Sequence, residues 1–326
     1  MRIARPRYDK DSCYYHVFNR VSGEPGWYPF GEVEREAMFK LLRQLNRLYA
    51  LEIVSFVAMG NHFHAVVRAP GDLPSVEEVD RRFKAYYGNS REVPDWTVGD
   101  NYEHYARRMR DVSALMKDFQ QQYTNWFNRT RPKGRRGRLW ADRFKSVILE
   151  SGRAVWECLQ YVEMNPVRAG LVADPAEYRH STWGMLCGSG RHPFGVALAD
   201  HLPPDWRDLL EVGEEADSLI GTLGNGQIID CLRIHLARLV ALEAGMDDDG
   251  VAEAVREAKG KPRFALSVRR RVRHWSDGAI IGSKLFVRNM TAEFYGAERA
   301  ERKRFDESAT DLVSFRQLRE RQSTCP

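Results

Sequence analysis

LEIVSFVAMGNHFHAVVR, residues 51–68, holds two apolar runs joined at Met59-Gly60-Asn61, the pattern of two strands and a tight connection. It predicts a β-hairpin, and the fold follows by working outward from it. On the N-terminal side, SCYYHVFNR, residues 12–20, alternates and is rich in aromatics, which predicts a strand. Residues 32–49 place Phe39, Leu42, Leu45 and Leu48 at helical spacing. On the C-terminal side, Pro70, Gly71, Pro74, Gly88, Pro94 and Gly99 mark a loop-rich insertion over 69–104, around a short helix from Val76 to Tyr87. One helix is expected from Tyr105 to Asn128, a strand over KSVILE, 145–150, and a helix from Arg153 to Met164. Strand, helix, hairpin, helix, strand, helix is the order of an α+β domain: an antiparallel sheet with helices on one face.

With 326 residues the chain is long enough for a second unit. The first domain is expected to span 1–187, followed by a Gly- and Pro-containing linker over 188–199 and an accessory region over 200–326. Ile228, Leu232, Leu236 and Leu239 mark one helix of that region and Val251 to Lys259 another, so it reads as mostly helical. Composition is that of an ordinary soluble protein, 43% hydrophobic and 29% charged, with no apolar run long enough to span a bilayer. The N-terminus lacks the apolar stretch of a secretion signal, and the five cysteines form no pair at metal-ligand spacing, so a cytoplasmic chain with free thiols is expected.

The net charge is only +5, but its distribution is uneven. NRTRPKGRRGRLWADRFK, residues 128–145, carries Arg129, Arg131, Lys133, Arg135, Arg136, Arg138, Arg143 and Lys145 against the single acid Asp142. A second cluster runs from Lys261 to Arg273 with no acid in it. Such clusters bind phosphates, with an affinity that falls with salt, or form solvated loops.

Two segments carry chemistry. In Asn61-His62-Phe63-His64, strand alternation sends both histidines to one face and Phe63 to the core. Two neutral imidazoles converging on one point are candidate metal ligands, although His-x-His also arises by chance. Around ECLQYVEMNPVR, residues 157–168, the preceding Val155 with Leu159 and Val162 forms a buried stripe, and Glu157, Tyr161 and Asn165 share an adjacent helix edge. Tyr161 is a nucleophile if a polarised phosphate lies beside it, or else a half-buried aromatic. Asn165-Pro166 is a ligand-bearing position or a helix stop. Pro166 disfavours helical geometry at Asn165, which puts that residue at a helix end.

Taken together, the motifs resemble a known family. His62-Phe63-His64 resembles the His-hydrophobic-His motif of HUH endonucleases, and YVEMNPVRAG, residues 161–170, resembles the nucleophile helix of single-tyrosine transposases. Tyr15-His16-Val17 with Asn19-Arg20 resembles the family's first strand. Gly137-Arg138-Leu139-Trp140 and Arg143-Phe144-Lys145-Ser146 resemble the segment before its last strand, and Tyr178 with Ser181-Thr182-Trp183 its close. The most similar group is the REP-associated tyrosine transposases, related to the bacterial IS200-like enzymes, with coverage from about residue 8 to 187. Gly60 departs from the proline common before Asn-His, and the 69–104 insertion is longer than in compact members.

The resemblance implies a ferredoxin-like (RRM-like) fold. It also implies that His62, His64 and the side-chain oxygen of Asn165 bind one Mg²⁺ or Mn²⁺, while Tyr161 attacks a phosphodiester to leave a 5′-phosphotyrosine and a free 3′-hydroxyl. The implied partner is single-stranded DNA, as hairpins of palindromic repeats, met by a monomer or a homodimer in the cytoplasm or, when DNA-bound, at the nucleoid. Asn19, Arg20, Arg131, Lys133, Arg135, Arg136, Arg138, Arg143 and Lys145 are the expected DNA contacts, with Tyr14 and Trp140 for base stacking. Two alternatives stand beside this: a DNA-binding protein that keeps the fold without cutting, and a metal-dependent phosphoesterase that uses water.

Overall fold

In the computed structural model, which describes residues 8, 11–172, 174–201, 249, 250, 253, 275, 276, 278–301 and 312–315, the chain divides into two units, 1–146 and 147–326. The expected helix around 228–239 and the whole second basic cluster, Lys261 to Arg273, lie outside the described residues, as does the expected helix over 251–259 apart from Glu253. The fold class is the expected one, α+β. Among the described residues, no helix is long and apolar enough to cross a membrane.

The first unit comprises β1 (Cys13–Arg20), α1 (Glu32–Leu48), β2 (Glu52–Ala58), β3 (His62–Ala69), α2 (Val76–Tyr87), α3 (Asn101–Met109) and α4 (Val112–Arg129). β3 lies between β2 and β1 and pairs antiparallel with both. Alternation splits β3 into two faces. Phe63, Ala65 and Val67 are buried on one, where Phe63 meets Phe119 of α4 edge-on at 5.4 Å, and Phe56 of β2 meets Phe39 of α1 at 5.0 Å. Each such ring removed from water contributes about 1.5–3 kcal/mol, which fixes the register: a one-residue slip would turn Phe63 out and the histidines into this core.

The single helix expected over 105–128 is two. Asp111 takes extended backbone angles, and its carboxylate accepts from Ser113 N at 2.7 Å, so it ends α3's path and caps α4. After α4 the basic segment turns through Lys133 and Gly134, both at φ 63°. It then runs back beside the end of β1, where Val21 and Trp140 form a bridge and Ala141 N donates to Arg20 O at 2.9 Å.

The second unit comprises the rest of β4 (Lys145–Leu149), then α5 (Arg153–Glu163), α6 (Asn165–Arg168), α7 (Thr182–Ser189), β5 (Ile280–Gly282), α8 (Lys284–Tyr295), α9 (Ala297–Glu301) and β6 (Val313–Phe315). α7 extends two residues into the expected linker. β5 pairs parallel with β4, Ile148 opposite Ile280, and antiparallel with β6, Ile280 opposite Phe315. The described part of the region expected to be mostly helical therefore adds two strands to this sheet. Three-residue strands are too short to show a period, so a local reading misses them. Glu150, just after β4, accepts from Ser283 N at 2.6 Å and Ser283 Oγ at 2.9 Å, while Ser283 caps α8.

Candidate active site

The turn that delivers the histidines is tied on both sides. Met59 N donates to His62 O at 2.8 Å, Phe30 N to Gly60 O at 3.0 Å and Val21 N to Asn61 O at 2.9 Å. Glycine in place of proline at residue 60 thus leaves a turn fixed by neighbouring backbone. From it, β3 sends His62 and His64 to the face opposite Phe63, as alternation predicts. Their ring centres are 5.2 Å apart and their planes nearly perpendicular, at 89°. His62 is half-buried and His64 is buried.

The Nδ1 atom of each histidine has a partner. His62 Nδ1 lies 2.8 Å from Asn61 Oδ1, an acceptor, so it carries the proton and Nε2 carries the lone pair. His64 Nδ1 lies 2.9 Å from Nε2 of His16, a residue of β1 that is wholly buried. Phe18, two residues on from His16, packs against both rings at 4.9 and 5.5 Å. Two imidazole nitrogens sharing one ion at about 2.1 Å put their ring centres roughly 5 Å apart, so the His62–His64 separation fits a shared metal. The outer partners on Nδ1 fit as well, because ligating histidines ordinarily have the other nitrogen hydrogen-bonded. Among the described residues, no three His, Cys, Asp or Glu side chains form a metal-holding group.

In the second unit, α5 begins after Gly152, at φ 77°, and buries Val155, Leu159 and Val162 as the stripe predicts. It ends at Glu163, the break falls at Met164, and Asn165 opens the short α6: the residue is at a helix end as expected, but in helical geometry, against the local preference of a residue before proline. The Asn165 side chain faces back along the chain rather than capping the next turn. Its Nδ2 donates to Tyr161 O at 3.1 Å and Val162 O at 3.0 Å at the C-terminal end of α5, and Oδ1 is the side chain's acceptor end. The guanidinium of Arg168 sits 4.0 Å from the Tyr161 ring centre and also donates to Tyr161 O. Trp275 stacks on the same ring at 6.0 Å, and Tyr161 is 7% exposed.

His16, Arg168 and Trp275 escaped the sequence reading as site residues. Only strand register and long-range packing bring His16 and Trp275 to their places. Arg168 carried a readable signal, standing seven residues after Tyr161 on the same helical edge. Cys13 and Cys158 are free but buried, and burial pushes the Cys13 thiol up to about 12 and that of Cys158 well above its ordinary value.

The expected DNA contacts fall into two groups. Arg20, Lys133, Arg136, Arg138, Arg143 and Lys145 are exposed. The others hold the protein itself. Arg131 pairs with Glu34 and covers Phe127 at 4.2 Å; Arg135 donates to Asn128 Oδ1 at 2.8 Å and Arg138 O at 2.6 Å. Buried Asn19 donates to Asp142 O at 2.9 Å. Trp140 is not available for base stacking: its ring lies in the core 5.3 Å from Phe63, and its Nε1 donates to Gln120 O at 3.3 Å. Tyr14 is buried as well.

No family model and no curated protein sequence matches the chain. Among solved structures it is similar to one described as the REP-associated tyrosine transposase bound to a REP hairpin, with a TM-score of 0.40 and 16% identity, covering 60% of this chain and 92% of that one.

Proposed function

We propose that the chain is a metal-dependent endonuclease and strand transferase for single-stranded DNA, with Tyr161 as nucleophile and hairpins of palindromic repeats as substrate. The observation that carries this reading is the His62–His64 pair: two rings 5.2 Å apart, each with Nδ1 already engaged. His62, His64 and Asn165 would hold Mg²⁺ or Mn²⁺, which when bound polarises a phosphate oxygen and offsets the charge of the transition state.

The chain's own residues do the rest. Tyr161 Oη forms a bond to phosphorus as the bond from phosphorus to the 3′-oxygen breaks. The tyrosine gives up its phenolic proton to solvent and becomes a 5′-phosphotyrosine, and the 3′-oxygen takes a proton from solvent and leaves as a hydroxyl. Arg168, with its guanidinium over the ring, favours the phenolate charge that develops during attack. The phosphotyrosine keeps the energy of the broken bond, so a second 3′-hydroxyl can reverse the step and join strands without a nucleotide. The exposed Arg136, Arg138 and Arg143 are suited to backbone phosphates, at an affinity that falls with salt.

A labelled single-stranded DNA hairpin incubated with Mn²⁺ is expected to give a protein–DNA adduct that survives denaturing electrophoresis. Tyr161→Phe should abolish the adduct and keep hairpin binding. Cleavage without an adduct, retained in Tyr161→Phe, would instead mark a phosphoesterase that uses water. One observation favours the reading in which DNA is bound and not cut: Tyr161 is buried against Trp275. A wild-type chain that binds the hairpin and gives no adduct, where Trp275→Ala gives none either, would establish that reading.

A further inference from the structure

We infer that His16 is a positioning residue: its Nε2 accepts the Nδ1 proton of His64, and so makes Nε2 of His64 the nitrogen that meets the metal. The inference rests on the metal reading of His62 and His64 given above. Its basis is the geometry of the His16–His64 pair. The facing nitrogens are 2.9 Å apart, the ring centres 5.1 Å apart, and the planes only 12° from parallel. A centre separation this much larger than the nitrogen separation describes rings meeting edge to edge, with the lone pair of one aimed at the N–H of the other.

A single proton lies between those nitrogens, and its position decides what His64 can do. With the proton on His16, Nδ1 of His64 is the acceptor, the other proton of a neutral His64 sits on Nε2, and that atom has no lone pair to donate. With the proton on His64 Nδ1, Nε2 is a ligand. Asn61 imposes the second arrangement on His62 outright, because an amide oxygen can only accept. His16 offers His64 the same acceptor from the neighbouring strand. β1 fixes it there: His16 stands opposite Val66 and Phe18 opposite His64, and the Phe18 ring packs on both imidazoles. Both histidines of β3 thus present Nε2, one set by its sequence neighbour and the other across the sheet.

The test uses the full chain and Mn²⁺ alone, titrated by calorimetry and by Mn²⁺ paramagnetic resonance. His16→Phe keeps a ring and removes the acceptor; His16→Gln keeps an acceptor oxygen. Affinity is expected to fall about 10- to 100-fold in His16→Phe, the usual cost of losing an outer partner, and to stay within a few-fold of wild type in His16→Gln. Long-range ¹⁵N–¹H spectra of the metal-free protein give a second readout: His64 should carry its proton on Nδ1 in the wild type and on Nε2 in His16→Phe. Thermal melting of each variant separates lost binding from lost folding. Should His16→Phe fail to fold, the wild-type tautomer and His16→Gln still decide, and a wild-type proton on Nε2 overturns the inference. Wild-type affinity in folded His16→Phe overturns it alone. A wild type that binds Mn²⁺ no better than a His62→Ala, His64→Ala double variant overturns the metal reading and this inference with it.

Discussion

Single residues show where local sequence suffices and where it does not. The shared face of His62 and His64 follows from a period of two, a property of any six-residue stretch of strand, and a helix end at Asn165 is what Pro166 predicts. His16 is different in kind. Its relation to His64 is a matter of pairing between strands far apart in sequence: a short window tells which face a residue takes, and not which residue of the other strand it meets. Glu34 is a similar case. Burial alone would push its carboxyl up, but the hydrogen bond and charge of Arg131 outweigh that and hold it below its ordinary value of 4.5. A depressed carboxyl contributes stability that is fully present above its unfolded value and is lost as pH falls through the folded one. The melting-temperature difference between wild type and Glu34→Gln, worth about 1 kcal/mol for a pair this partly exposed, should therefore hold at neutral pH and shrink below pH 4.5. A difference unchanged at pH 3 would sink the assignment.

Elements were the most legible level, since helices and longer strands declare themselves by period and caps. The expected Val76–Tyr87 helix has those bounds in the structure, while the expected 105–128 helix is broken because Asp111 competes for the backbone of its neighbours. α7 offers a sharper check within eight residues. A Cβ at Gly184 would lie 2.0 Å from the backbone oxygen of Tyr178, whereas one at Gly188 would meet nothing within 4 Å. Both positions are helical, so alanine should help wherever there is room. Gly188→Ala is expected to stabilise by up to about 1 kcal/mol, and Gly184→Ala to destabilise by about 1–3 kcal/mol as the 178–184 turn is forced open. Chemical denaturation measures both, and equal signs would show that α7 is not seated on Tyr178 in solution.

At the scale of the whole molecule, the second unit depends on residues that a reading of local pattern sets apart from it. Ile280 and Ile281 of β5 are buried beside β4, Val313 and Phe315 of β6 are buried beside β5, and α5 packs on β5. Removing 280–326 would withdraw those side chains, at roughly 1.5–3 kcal/mol each. Hydrogen exchange should then show α5 losing its protection while β1, β2 and β3 keep theirs; α5 amides as protected as in the full chain would refute this. The parallel pairing of β4 with β5 also bears on how the chain is made. Synthesis runs from the N-terminus, so β1, β2 and β3, with His16, His62 and His64 among their residues, can close on α4 as soon as Arg129 has left the ribosome. The sheet under Tyr161 has to wait for Ile280. For as long as the ribosome takes to travel between those points, the nascent protein carries a closed histidine-bearing sheet while the packing beneath the helix of Tyr161 is still incomplete.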